Sequence, residues 1–587
     1  MNAFAEHIVA CNGIKIKKLS KSPKYLELEH RDGCDNKNVN INLKNFVTDI
    51  YKLSDRCKDL LEIAGYIFAA DRKTSRGSNK LVEYHSWSRS FHFHIYVRDY
   101  KFWNRKEIQT LLEQALCFMS GDHSYKFTFY QAGPDFPTNL FDNENFVIDT
   151  PNNLRVMLFS GGIDSLAGAV ELLETTKAEV CLVSHQSGQW GVLKTQRIIN
   201  EEIEILYPNR SKHFKFRCGL SYDDSKDESQ RTRSFLYTST AFAIAHTYKK
   251  NCIYLFENGI TSINFAETQD LMNARASRTT HPQTIGKLQE LFTAIAEEKF
   301  YIYNPYLFKT KTDVVEVIKH HKKLELLDSS VSCSRTRNHP PGFTHCGVCS
   351  QCIDRRFAVF AADVQKYDDN HLYHFDFLVD ELETDEIKKA LTEYIRLAQD
   401  FKKQSIDSWY RSRGKEIIEV EEYIQGEDEF ERIDKLYNLC QRHSKHIERS
   451  IRKMRDIYDL PLSSSNPKSF FSSIIGQRVY QKDDNKNIAG SSDKTIKRKE
   501  IPSRGLKRIT KETCEFLIKQ KRITDVLIET KKNPVISKLI IGALKQENFV
   551  VTKQNETSIS DYFRKYELYL KKDGNGKIIV INNNRAR

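Results

Sequence analysis

The feature that most constrains the fold is an alternation of short apolar strands and amphipathic helices between residues 154 and 321. Because each helix carries the chain back across the sheet, strands separated in this way can all run parallel. The region is therefore predicted to be an α/β domain with helices on both faces of a parallel sheet. The predicted elements are strand Arg155–Phe159, helix Leu166–Thr175, strand Val180–His185, helix Thr195–Leu206, strand His213–Arg217, helix Ser234–Tyr248, strand Cys252–Glu257, helix Thr284–Glu298 and helix Thr312–His321.

The string Ser160-Gly161-Gly162-Ile163-Asp164-Ser165 joins the first of these strands to the helix that follows it. Adjacent glycines allow backbone N–H groups to converge on an anion, and the start of the next helix adds its own unpaired N–H groups. The carboxylate of Asp164 beside a phosphate requires a cation, for which Mg²⁺ is the natural choice. The string therefore predicts a phosphate site, with an ordinary strand–turn–helix junction as the alternative. No Walker-type string and no dinucleotide-binding glycine string follow a strand, so both of those classes are disfavoured.

Four cysteines, Cys333, Cys346, Cys349 and Cys352, lie within twenty residues in the spacing Cys-x12-Cys-x2-Cys-x2-Cys. A Cys-x2-Cys pair brings two thiolates to the edge of a tetrahedron, and Zn²⁺ accepts four sulfur ligands. The spacing predicts a structural zinc site. An iron–sulfur cluster and four unligated thiols are the alternatives.

Together, the loop and the cysteine motif resemble the 7-cyano-7-deazaguanine synthase family of the PP-loop ATP pyrophosphatase superfamily. The cysteine stretch reads Cys346-Gly347-Val348-Cys349-Ser350-Gln351-Cys352-Ile353-Asp354-Arg355-Arg356. Three weaker matches lie between the loop and the cysteines, in the same order as in the family, at His185–Gln189, Arg231–Leu236 and Asn304–Thr312. The resemblance covers residues 154–360, under half of the chain. Glu257-Asn258-Gly259 and the additional regions depart from the family, and the length is more similar to enlarged relatives found in bacterial antiviral defence clusters.

The resemblance implies an adenine nucleotide alpha hydrolase-like fold and cleavage of ATP between its α- and β-phosphates. AMP would pass to a carboxylate resembling 7-carboxy-7-deazaguanine, for attack by ammonia or by an amine of a partner protein. ATP, Mg²⁺ and Zn²⁺ are the implied cofactors, and the Ser160–Ser165 string would bind the pyrophosphate. Asp164, Ser165 and Lys311 are the predicted catalytic residues, with Lys311 facing the developing negative charge. The candidates for binding substrate are Gln189, Arg233, Arg278, Arg355 and Arg356.

The rest of the chain is divided by its composition and periodicity. Apolar alternation at Phe91, Phe93, Ile95 and Val97, with a helix at Arg105–Met119, predicts an α+β N-terminal domain. The predicted domains are 1–152 (α+β), 153–365 (PP-loop with the zinc module), 366–480 (helical, including helices Ile387–Phe401 and Phe430–Ile457), 481–504 (linker) and 505–587 (small and basic, ending in a hairpin of Tyr566–Leu570 and Lys577–Ile581).

Positive charge is concentrated at the C-terminal end of the chain. Of the formal net charge of +13, +12 lies from Gln481 onward, where 25 Lys and Arg face 13 Asp and Glu. Such asymmetry indicates an acidic partner. A nucleic-acid-binding or tRNA-thiolating protein is therefore the alternative function, and a solvated lysine-rich tail is the other interpretation. The chain shows neither a membrane-length apolar run nor a signal-peptide pattern, so a cytoplasmic location without membrane contact is expected.

Overall fold

The chain divides into two compact units, Met1–Arg478 and Val479–Arg587. A computed structural model describes residues 6–16, 24–31, 33–41, 53–76, 88–133, 153–186, 190–221, 225–227, 229–265, 278–335, 342–381, 385–424, 428–458, 469, 499–500, 549–550, 568–572 and 578–582.

The strands of the first unit are β1 (Glu6–Cys11), β2 (Lys24–Leu28), β3 (Val39–Ile41), β4 (Ser90–Val97), β5 (Ser124–Gln131), β6 (Leu154–Leu158), β7 (Glu179–His185), β8 (Ser211–Phe216), β9 (Cys218–Leu220), β10 (Cys252–Tyr254) and β11 (Tyr301–Tyr303). Its helices are α1 (Asp55–Lys73), α2 (Tyr100–Trp103), α3 (Lys106–Ser120), α4 (Ile163–Thr175), α5 (Trp190–Leu206), α6 (Arg233–Thr247), α7 (Gly259–Ile263), α8 (Pro282–Ala296), α9 (Lys311–His320), α10 (Glu325–Ser329), α11 (Ser350–Ala361), α12 (Asp385–Lys403), α13 (Ile406–Glu421) and α14 (Glu429–Tyr458).

The N-terminal sheet has the strand order β2-β1-β4-β5, and every neighbouring pair is parallel. The α+β prediction for this region was therefore wrong, because the region is α/β. Alternating side chains at Phe91 and Phe93 indicate a strand with one apolar face but do not reveal its direction. The direction follows from α3, which carries the chain from the end of β4 back to the start of β5 and packs Leu112 and Leu116 into the same core.

The central sheet has the order β11-β10-β6-β7-β8 and is parallel throughout, which confirms the predicted α/β class. The chain moves from β6 through β7 to β8 on one side, then returns to add β10 and β11 on the other side. The strand order therefore reverses between β6 and β10, and doubly wound sheets bind ligands outside the carboxyl ends of the strands at such a point. The short strand β11 was not predicted, because three residues are too few to show a period.

The two sheets share one hydrophobic core. Phe93 and Phe127 of the N-terminal sheet belong to the same buried cluster as Val156, Phe242 and Phe292 of the central region. In addition, β3 pairs antiparallel with β9. The predicted domain boundaries after residues 152 and 365 both fall inside the first unit.

The helical region contributes the long helices α12 and α14. Leu391 and Ala398 of α12 pack with Ile447 and Met454 of α14 against Phe357 of α11, so these helices share a core with the cysteine-bearing segment. Among the helices within the described residues, none combines the length and apolarity needed to cross a bilayer.

In the second unit, the described strands are β12 (Lys499–Glu500), β13 (Phe549–Val550), β14 (Leu568–Lys572) and β15 (Ile578–Asn582). The last two pair antiparallel, within two residues of the predicted hairpin strands. Residues 573–577, which join the two strands, and most of the predicted linker lie outside the described residues.

Candidate active site

The Ser160–Ser165 loop follows β6 at the carboxyl edge of the central sheet. Gly161 has a φ of +85°, a left-handed conformation that favours glycine. The Ser160 and Ser165 hydroxyl oxygens lie 3.2 Å apart, and Ser165 also donates to the Gly162 carbonyl at 3.0 Å. Helix α4 begins at Ile163, and its N-cap, Gly162, has no capping side chain. The loop thus brings the start of α4 and two hydroxyls to one edge of the sheet, where the Gly162 N–H donates to the Ser160 hydroxyl at 3.3 Å.

The loop is supported by the segment that leads into the first cysteine. The Val331 N–H donates to the Gly161 carbonyl at 2.9 Å, and the Ile163 N–H donates to the Ser332 hydroxyl at 3.3 Å. From the other side, the Gln196 amide donates to the Ser160 carbonyl at 3.3 Å. Because Cys333 directly follows Ser332, the segment that bears the first cysteine also supports the loop.

Asp164 and Lys311, both predicted catalytic residues, are in direct contact. The Lys311 ammonium donates to the Asp164 carboxylate, and the two residues are only 2% and 8% exposed. Lys311 is the first residue of α9, whose N-terminus carries a capping box: the Asp313 N–H donates to the Thr310 hydroxyl, and the Thr310 N–H donates to the Asp313 carboxylate. The cap places the Lys311 side chain toward the loop.

Two further polar residues reach this site from the end of β10. The Asn258 amide donates to the Asp164 carboxylate at 3.5 Å and also caps α7 by accepting the Thr261 N–H. The backbone of Glu257 is clamped by Asn304, which accepts its N–H at 3.2 Å and donates to its carbonyl at 2.9 Å. Glu257 and Asn258 were not predicted as site residues. Their position at the end of the predicted strand Cys252–Glu257, level with the loop, was the available signal.

In the cluster formed by Asp164, Glu257, Asp354 and Lys311, the carboxylates outnumber the one ammonium. Burial opposes the charge of Lys311, but the carboxylates of Asp164, Asp354 and Glu257 outweigh it and raise the Lys311 pKa. Burial, with Asp164 nearby, raises the pKa of Glu257 to about 8. Burial likewise raises the pKa of Asp354. The surplus of acidic groups suits the site to a cation.

The four predicted metal ligands converge as a buried cluster. Their sulfur atoms all lie within 4.8 Å of one another, with 4.0 Å between Cys346 and Cys352 and 3.9 Å between Cys349 and Cys333. Four sulfurs around one Zn²⁺ would lie about 3.8 Å apart, so the donors fit one tetrahedral ion. A multi-iron cluster would hold its cysteines farther apart. At Gly347, whose φ is +83°, a Cβ would come within 1.8 Å of the Phe375 carbonyl oxygen.

Arg355 and Arg356, predicted to bind substrate, are enclosed and engaged with the protein. Arg355 is fully buried, and its guanidinium donates to the Asp368 carboxylate at 2.9 Å and to the carbonyls of Ser330 and Leu327. Arg356 donates to Asp376 at 3.3 Å and lies over the rings of two neighbouring aromatic residues. Both arginines therefore hold the cysteine segment together, and the structure does not place them with the loop.

The two remaining predicted substrate residues that the structure describes lie at different places. Arg233 is exposed at the start of α6 and lies 5.5 Å from the Tyr237 ring, whose hydroxyl is hydrogen-bonded with His185 at the end of β7. It thus lies at the same edge of the sheet as the loop. Arg278 lies 4.5 Å over the ring of Phe118 in α3. Gln189 lies outside the described residues.

Comparison with known proteins adds no family assignment. A scan of the sequence against protein-family models matches none of them, and a search of curated proteins finds no match. Conclusions about function therefore depend on the loop, the charge cluster and the cysteine site described above.

Proposed function

We propose that the protein is an ATP-dependent, AMP-forming enzyme that activates a carboxylate for attack by an amine. The observation that carries the proposal is the meeting of the Ser160–Ser165 loop with the Asp164–Lys311 pair. They meet at the carboxyl edge of a doubly wound sheet, beside the strand where the order reverses. Backbone donors, a helix start and a buried ammonium at one edge suit a substrate that carries several phosphates.

The proposed first step joins the carboxylate to AMP. A carboxylate oxygen attacks the α-phosphorus of ATP, and the bond from that phosphorus to the bridging oxygen breaks, so that pyrophosphate leaves with the electron pair. The loop would hold the pyrophosphate, and the Lys311 ammonium would stabilise negative charge developing at the reacting phosphate. Mg²⁺ supplies charge neutralisation when it is bound, and Asp164, with Glu257 and Asn258 beside it, is the residue that would hold it.

The proposed second step forms an amide. The amine nitrogen attacks the carbonyl carbon of the mixed anhydride, the bond to AMP breaks, and the nitrogen releases a proton to solvent. The resemblance to 7-cyano-7-deazaguanine synthases supports a deazaguanine-type carboxylate as substrate. The size of the chain, more similar to enlarged relatives in antiviral defence clusters, supports ammonia or a protein amine as acceptor and a cytoplasmic defence role.

We also propose that the four cysteines bind one Zn²⁺ with a structural role. Four protein ligands leave no position open for water or substrate. The segment from Val331 to Cys333 connects this site to the loop through the Val331–Gly161 hydrogen bond. Zinc would therefore contribute to the reaction indirectly, by supporting the loop.

The test is to follow the nucleotide products. With ATP, Mg²⁺, 7-carboxy-7-deazaguanine and ammonium, the protein is expected to release AMP and pyrophosphate. Asp164→Asn, which retains an oxygen acceptor for Lys311, is expected to abolish this release. The matched control is Asp363→Asn, at an exposed carboxylate that pairs with Lys453 at 3.3 Å. Release of ADP alone, or full activity in Asp164→Asn, would exclude the proposed chemistry.

A further inference from the structure

Asp354 is a buried carboxylate between the cysteine site and the loop. It lies on α11, two residues after Cys352, and is 6% exposed. Its Oδ1 accepts the hydroxyl of Tyr394 from α12 at 2.6 Å. Its Oδ2 is enclosed and has no hydrogen-bond partner among the residues that the structure describes. Its main charge interaction is with the Lys311 ammonium.

Helix α14 holds the backbone just before Lys311. The Thr310 hydroxyl, which caps α9, is hydrogen-bonded with His446 at 2.9 Å. The Arg442 guanidinium donates to the carbonyl of Phe308, just before the cap. The helical region thus holds the main chain at the position where Lys311 begins its helix, while the Lys311 ammonium donates to Asp164 and interacts electrostatically with the buried Asp354.

Three carboxylates act on the Lys311 ammonium, and the proposed function assigns two of them, Asp164 and Glu257, to the Mg²⁺ site. Asp354 is the third, and it matters when the metal competes with Lys311 for the other two. Under the proposed function, on which this inference rests, Asp164 would hold Mg²⁺ when ATP is bound, and its contact with Lys311 would weaken. A buried ammonium without a counter-charge is strongly unfavourable, so the lysine would turn elsewhere. The enclosed Oδ2 of Asp354 is the oxygen that remains for it. We propose that Asp354, anchored by Tyr394, is a positioning residue that keeps Lys311 directed at the loop when Asp164 engages the metal.

The first test needs no enzymatic activity. The reaction of Lys311 with an amine-acylating reagent is measured by peptide mass spectrometry in Asp164→Asn, which imitates the loss of the first carboxylate. Lys311 is expected to remain protected in this variant and to react about tenfold faster in Asp164→Asn combined with Asp354→Asn, because one charge-assisted contact is lost. Equal labelling of the single and the double variant would overturn the proposal, whether or not the protein adenylates anything.

The second test separates positioning from folding. In the exchange of labelled pyrophosphate into ATP, driven by 7-carboxy-7-deazaguanine, Tyr394→Phe and Asp354→Asn are each expected to lower kcat by about 10-fold to 100-fold, with little change in the KM for ATP. The matched control is Tyr207→Phe, which removes an equally short 2.6 Å bond to Glu174 away from the site. A rise in KM alone, or equal losses in Tyr207→Phe, would overturn the proposal. Absence of exchange in the unaltered protein would instead count against the proposed function, and the labelling would still decide the role of Asp354.

Discussion

The buried pair of Asp164 and Lys311 predicts a specific pattern of stability losses. Removing one partner of a buried ion pair costs about 3–5 kcal/mol, because the other charge stays buried without compensation. Asp164→Ala leaves the carboxylates of Glu257 and Asp354 facing Lys311, so its loss is expected at the lower end of that range. Lys311→Met leaves all three carboxylates without their ammonium, so its loss is expected at the upper end.

These losses translate into small but measurable changes in melting temperature. The first unit has 478 residues, and an unfolding entropy of about 2.1 cal/mol/K per residue gives it about 1 kcal/mol/K near the midpoint. The expected decreases in Tm, measured by scanning calorimetry, are therefore about 3 °C for Asp164→Ala and about 5 °C for Lys311→Met.

The decisive variant combines Asp164→Ala with Lys311→Met. Since both charges of the pair are then absent, its loss is expected to be clearly smaller than the sum of the two single losses. Asp363→Asn, at an exposed ion pair, is the control and is expected to change the Tm by less than about 1 °C. Additive losses in the double variant would show that the two side chains do not interact in the folded protein.

Four other outcomes follow from the described contacts and from the charge distribution. Because burial raises the folded-state pKa of Glu257 from 4.5 to about 8, its contribution to stability is complete below about pH 4.5 and lost as the pH rises through about 8. The Tm is thus expected to fall across that window, and a fall of equal size in Glu257→Gln would refute the assignment. Cys349→Ser is expected to lose bound zinc, measured by elemental analysis, together with adenylation; unchanged metal content would contradict the tetrahedral site. Gly347→Ala is expected to weaken zinc binding, since its Cβ would meet the Phe375 carbonyl oxygen at 1.8 Å, and full zinc occupancy at an unchanged Tm would argue against that close approach. Ending the chain near Lys499 is expected to preserve adenylation and to weaken binding to an acidic partner, with steep salt dependence if the partner is nucleic acid; loss of adenylation would place this region in the catalytic fold.

Much of the central region was predictable because its signals are local. The helices and most strands between residues 154 and 321 could be predicted from the spacing of their apolar residues, because this spacing indicates which face of each segment is buried. The four cysteines could be grouped because two short spacings already restrict their geometry. The loop could be singled out because the whole Ser-Gly-Gly-x-Asp-Ser string, and not the two glycines alone, lies between a strand and a helix.

The contacts of the loop could not be predicted from local patterns, because its partners come from distant parts of the chain; Lys311 was expected there only through the family resemblance. Lys311 lies 147 residues from Asp164, and no periodicity reports which helix start faces which strand end. An arginine is equally suited to bind a substrate phosphate and to pair with a buried carboxylate. Only the tertiary structure shows that Arg355 pairs with the Asp368 carboxylate. The direction of the N-terminal strands was hidden for a related reason, because alternation is the same in parallel and antiparallel sheets.

The sequence by itself therefore determined the class of the central fold, the place of the Ser160–Ser165 loop and the grouping of the four cysteines, since each depends on neighbours along the chain. Tertiary structure alone decided that Asp164 meets Lys311, that Glu257 and Asn258 join them, and that Asp354 of the cysteine segment is bonded to Tyr394 of the helical region. The physical reason is that charge compensation in a buried site depends on distance in space. That distance depends on how sheets and helices pack together, whereas the local pattern determines only which segments form helices and strands.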